Sequence, residues 1–139
     1  AGARLKRFED QLELPQPIET GRKHLAVWLK EQARAELARA SDYYAQKLGR
    51  GYSRLTIRDT RSRWGSCSSA GALMYSWRLI LAPTPVLNYV AAHEVAHLQE
   101  MNHSADFWKL VERLYGPHHQ ERAWLRREGP KLHRLRFEA

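Results

Sequence analysis

A single cysteine, Cys67, stands among 139 residues, so no disulfide can close within the chain. That scarcity predicts a reducing compartment, with the cytoplasm as the expected location. No run of about 18 apolar residues occurs, which argues against a membrane-spanning helix. The opening stretch AGARLKRFEDQLELP has no apolar middle of the kind a secretion signal needs. It also lacks an initiator methionine, which predicts a processed or excised piece. There is no glycine-rich phosphate loop, no internal repeat and no low-complexity stretch. Acidic side chains are in deficit, 15 against 23 Lys and Arg, giving a net charge of +8 and a pI near 10.0. Such a balance favours polyanions through counterion release and long-range steering. The arginines are spread over the whole chain without one dense block. Nucleic-acid association through basic charge therefore stands beside the plainer reading of solvated charge.

What is present suits one α+β domain with a modest core: 43% apolar residues, five of the bulky residues being tryptophan. Residues 1–17 read as a lead-in or the remnant of an N-terminal segment, closed by LPQP, and residues 18–139 as the single domain. Leu25, Trp28, Leu29, Ala33, Leu37, Ala40, Tyr44 and Leu48 recur at helical spacing, predicting a core-facing helix from about Ile18 to Leu48, ended by Gly49 and Gly51. YSRLTIRDTR alternates as a strand, RWGSCSSAGA reads as a turn-rich link, and LMYSWRLILA as a second strand. Two strands joined this way predict a small antiparallel sheet. Thr84 is the expected cap of the next helix, with Pro85 in its first turn. Ser104 is the expected cap of ADFWKLVERLY, and a last helix is expected to end at Gly129 and Pro130.

Chemistry concentrates in HEVAHLQEMNH, residues 93–103. On a helix His93 and His97 differ by about 40° in direction and about 6 Å in height, so both imidazoles can reach one ion. Glu94 lies roughly 60° from His97, near enough to contact a water beside that ion. His103 would point about 120° away from His97 if the helix continued. A turn is therefore required, and Asn102, tolerant of the left-handed region, precedes it. Three protein ligands leave a fourth position for solvent, as catalytic zinc sites do. Chance HExxH matches are common, and a polar network without metal or another divalent ion are the competing readings. Unpartnered imidazoles and a carboxylate on a buried helix would cost about 1–3 kcal/mol per group, which favours zinc.

RWGSCSS, SWRLILAP, HEVAHLQEMNHSADFW and ERAWLRREG, in this order, resemble the YgjP-like metallopeptidases, relatives of the SprT-like zinc proteases. The likeness covers about residues 22–129. It implies a compact zincin-like core, with a small antiparallel sheet packed on helices that include the HExxH active-site helix. It also implies zinc on His93, His97 and His103, and Glu94 as general base. The metzincins share the histidine spacing but have glycine where this chain has Glu100. Two departures stand out: Ser76 replaces the family's usual Asn, and only the stub QLELPQP corresponds to its N-terminal β-rich segment.

Three functions compete. The first is a zinc protease acting on peptide or protein substrates. An edge at residues 72–78 would pair with the substrate, unless that stretch is plain core sheet. Arg78, His118 and His119 are candidate contacts to substrate or transition state. The second, implied by the resemblance, is a metal-dependent nucleoside-triphosphate pyrophosphatase with Arg61, Arg63 and Arg78 receiving phosphates. The third is a non-catalytic zinc module that binds nucleic acid, against which the unligated Glu94 argues. Asp106 is either an orienter of a ligand histidine or a first-turn acid. Cys67 reads better as a small buried residue than as a zinc-blocking thiolate. His24 and His133 read as surface residues.

Overall fold

The computed structural model describes residues 18–136. The lead-in, with its QLELPQP stub, lies outside the described residues. Helix α1 (Ile18–Leu48) is followed by β1 (Arg54–Arg58), β2 (Gly65–Cys67), β3 (Ala72–Ser76) and a 3-10 helix (Trp77–Leu81). Helices α2 (Thr84–Ala96), α3 (Ala105–Leu114) and α4 (His119–Arg134) complete the domain. The fold is α+β: four helices and a small mixed sheet. None of the described helices is long and apolar enough to cross a membrane.

The α1 stripe packs as its spacing predicts. Leu25, Leu29, Ala33, Leu37, Ala40 and Tyr44 are buried, with Trp28 and Leu48 half-buried against the same core. Gly49 ends the helix at φ +84°, its amide and that of Arg50 both donating to the Ala45 carbonyl. Within the core, the Ser41 and Tyr75 hydroxyls meet at 2.8 Å, so neither buried oxygen is unsatisfied.

The sheet differs from expectation. Its order is β1-β3-β2, with β1 parallel to β3 and β2 antiparallel to it. The turn-rich link itself contributes β2, so the chain reverses twice between β1 and β3 and their directions coincide. A tight turn closes β2 onto β3, with Gly71 at φ +82° and its amide on the Ser68 carbonyl. Strand β3 is central and Trp77–Leu81 is a 3-10 helix, so residues 72–78 offer no free edge. An unbroken apolar run does not by itself separate strand from buried helix, and here Ser76 ends the strand. Its buried hydroxyl accepts from the Arg78 amide and caps the 3-10 turn.

Helix α2 is buried nearly all round, as expected of a central helix with apolar residues on every side. Its cap is Pro83 rather than Thr84, which is the first helical residue. Ser104 does cap α3, accepting from the Phe107 amide at 3.3 Å. Helix α4 runs through Gly129 and Pro130 to Arg134 instead of stopping there. Its last turn is held from outside: Arg78 Nη1 donates to the Leu132 and Leu135 carbonyls at 2.9 and 2.6 Å. His133, read as a surface residue, stacks on Trp64 with ring centroids 4.0 Å apart. His24 is exposed as expected.

Candidate metal centre

His93 and Glu94 occupy the last turn of α2, and His97 is the residue at which the helix ends. Beyond it the chain tightens. The amides of His97, Leu98 and Gln99 each donate to the carbonyl three residues back, at 3.1, 2.9 and 3.1 Å. None of the described non-glycine residues has a positive φ, so Asn102 does not use the left-handed region. The required bend is spread over residues 97–103 without a positive φ.

That bend brings the third imidazole back. One ligand atom from each of His93, His97 and His103 lies within 4.8 Å of the others. The Nε2 atoms of His93 and His103 are 3.3 Å apart. Tetrahedral ligands with zinc–nitrogen bonds of about 2.0–2.1 Å would stand roughly 3.3–3.4 Å apart, so this pair already has coordination spacing. His97 Nδ1 lies 2.9 Å from the Glu100 carbonyl. A carbonyl only accepts, so the ring proton sits on Nδ1 and Nε2 keeps its lone pair. His93 Nδ1 faces the Tyr89 hydroxyl at 3.4 Å.

The rings are clamped by α3. His97 stacks on Phe107 at 4.4 Å, Phe107 meets His93 edge-on at 4.9 Å, and His103 lies over Trp108 at 5.8 Å. Burial drives the His93 imidazole down to about 3, its histidine neighbours adding to the effect. Burial lowers His97 as well. Neutral imidazole is the form that coordinates, and nitrogen donors of this kind suit a borderline divalent ion. The residues present fit a metal.

Glu94 is buried beside this cluster, and burial pushes its carboxyl up to about 8 against the pull of Arg63. Edge strand β2 crosses over it at Gly65. A Cβ there would come within 2.9 Å of Glu94 Cγ and 3.0 Å of the Met74 carbonyl. Glycine is needed for that approach. A cavity of about 420 Å³ opens over the pair, lined by Trp64, Gly65, His93, Glu94, Trp108 and Arg122 among others.

The chain matches the family described as "YgjP-like, metallopeptidase domain" across residues 4–128. It belongs to the YgjP-like metallopeptidase family. The match begins at residue 4 rather than 22, so it includes part of the stretch read as a lead-in. No curated protein and no solved structure matches the chain. As a YgjP-like domain it has a metallopeptidase's family membership and three histidines placed to hold a metal.

The other predicted residues separate. Arg78 is buried, its Nε on Asp59 Oδ1 at 2.9 Å and its Nη1 on the Leu132 and Leu135 carbonyls at the end of α4. It braces the fold through Nε and Nη1, three of its five N–H donors. His118 stacks on Tyr89 and Trp108 at 5.0 and 5.7 Å, whereas His119 is exposed at the start of α4. Asp106 is an exposed first-turn acid of α3. Burial and the Glu94 charge push the Cys67 thiol up to about 11, leaving it protonated and a poor ligand at neutral pH. Sequence reading missed Gly65, Tyr89, Phe107, Trp108 and Arg122. A signal existed for two of them: Phe107 and Trp108 lie in the first turn after the Ser104 cap, close in sequence to the third histidine.

Proposed function

We propose that this YgjP-like domain is a zinc-dependent peptidase, with His93, His97 and His103 as ligands and Glu94 as general base. The observation that carries this reading is the set of three imidazoles within 4.8 Å, beside a buried carboxylate at the wall of an open cavity. A zinc ion held there would supply Lewis acidity, polarising a carbonyl and making water acidic near neutral pH. Glu94, raised by burial, would be kept ionised by a bound cation's charge. Its carboxylate takes the proton of the attacking water and returns it to the leaving amine nitrogen. Gly65 leaves room for the carboxylate between these two positions. The outer edge of β2, next to Glu94, is the backbone edge on which an extended peptide pairs. His118, packed on two rings of the cavity wall, is the candidate substrate contact this reading favours. The substrates are peptides or proteins, and the reducing cytoplasm remains the compartment that a lone thiol fits best.

Glu94→Gln tests the assignment. The variant should keep its zinc, measured by atomic emission, and lose peptide hydrolysis by at least about 10²-fold. Loss of nucleoside-triphosphate hydrolysis alone would instead favour a pyrophosphatase. Unchanged activity on both substrates would remove Glu94 from the chemistry.

A further inference from the structure

The cavity wall opposite the histidines carries charge that the proposed hydrolysis does not use. Arg122 and Arg126 stand four residues apart on α4, and both line the cavity that contains His93 and Glu94. Like charges at this spacing repel across a helix face by about 0.2–0.5 kcal/mol. Other arginines resolve their charge locally: Arg39 on Glu36, Arg78 on Asp59 and Arg127 on Glu128. Among the described residues, no carboxylate forms an ion pair with Arg122 or Arg126. Arg122 is also held in place, its guanidinium 4.7 Å over the Trp108 ring that stacks with His103. The ring occupies the face of the guanidinium, and its N–H edge stays available for planar acceptors. Trp64 and Leu125 add apolar wall to the same cavity, so an anion entering beside the arginines is partly removed from water.

We propose that Arg122 and Arg126 recognise a carboxylate on the peptide, close to the bond that is cleaved. The inference rests on the peptidase reading of the same cleft. Its ligand is an Asp or Glu side chain flanking the cleaved bond, or the peptide's own terminal carboxylate. A carboxylate fits the planar fork of a guanidinium, and the paired positive charge gives a preference over the isosteric amide.

Two measurements decide it. In the first, zinc-loaded wild type and the double variant Arg122→Gln/Arg126→Gln cleave matched fluorogenic peptides. The peptides carry Asp or Asn beside the cleaved bond, each with a free or an amidated C-terminus. Wild type should prefer a carboxylate by roughly tenfold in kcat/KM, and the preference should fall to near unity in the double variant. Whether Asp or the free terminus carries the preference identifies the source. Arg127→Gln, which removes an arginine paired with Glu128, should leave the ratio where it was. Equal cleavage of all four peptides by wild type overturns the proposal. In the second, the same peptides and a nucleoside triphosphate are titrated into zinc-loaded Glu94→Gln, with and without the arginine substitutions, following tryptophan fluorescence. Arginine-dependent preference for the carboxylate peptides supports the proposal even if no peptide is cleaved, an outcome that would fail the peptidase reading alone. Arginine-dependent binding of the triphosphate without any peptide preference overturns it.

Discussion

At the scale of single residues, the site depends on how closely groups approach. Gly65 is the sharpest case, because a methyl there meets both Glu94 and a backbone carbonyl that cannot move aside. Gly65→Ala should leave zinc content intact while lowering peptide kcat by about 10²-fold, the scale of an ångström's displacement of a catalytic group. An alanine variant with wild-type kcat would mean that Glu94 has slack in its position. Phe107 is the second case. It is fully buried and touches all three histidine rings. Phe107→Ala should cost about 3–5 kcal/mol in urea unfolding, and it should weaken zinc binding in competition with a chelator because the rings lose their common backing. The shared face of His93, Glu94 and His97 was legible from spacing alone, since helical geometry fixes which side chains lie together. Tyr89 and Arg122 were not, because their roles come from neighbours distant in the chain.

At the scale of elements, Arg78 joins three segments: the loop carrying Asp59, the 3-10 helix, and the last turn of α4. The Arg78 hydrogen bond, more than its charge alone, holds the Asp59 carboxyl below its usual value. A carboxyl with a depressed folded pKa stabilises above its unfolded pKa, near 3.8, and loses that contribution as pH falls through the lower folded value. Asp59→Asn should therefore lower stability by about 1 kcal/mol at pH 7, as removal of one charge-assisted hydrogen bond at a half-exposed site does. The gap to wild type should close in acid, when both proteins carry a neutral side chain. A constant gap in urea midpoints from pH 7 down to pH 2 would contradict this. Arg78→Met should instead speed amide exchange in residues 131–135, where α4 continues past a glycine and a proline with outside support.

The sheet shows why element identity was only partly readable. GSC carries three small residues that read as turn, and it forms a strand only because β3 offers a partner edge. Missing that strand reversed the inferred direction of β1 against β3. The helices were read more securely, since α1 has a long apolar period and α3 a polar cap. The end of α4 was misplaced because the support that carries it past Pro130 comes from Arg78, some fifty positions earlier in the chain.

At the scale of the whole molecule, a bound ion would link the end of α2 to the segment leading into α3. An ion that binds only the folded state raises stability by RT ln(1 + [L]/Kd), about 2.7 kcal/mol at a hundredfold excess over Kd. Adding zinc to chelator-treated protein should raise Tm by several degrees, and His103→Ala should remove most of that rise. His103 is exposed, so the substitution should change the zinc-free Tm little, which separates ligand loss from damage to the fold.

The sequence by itself determined the chemistry available. Two imidazoles and a carboxylate share a helix end because α-helical spacing is a local property, and a third imidazole follows within a turn's reach. The tertiary structure alone decided that the third ring returns to the first two, that Arg78 braces the end of α4, and that Arg122 and Arg126 face the cleft. Those outcomes depend on packing between segments far apart in the chain, where direction is set by which surfaces must be buried together.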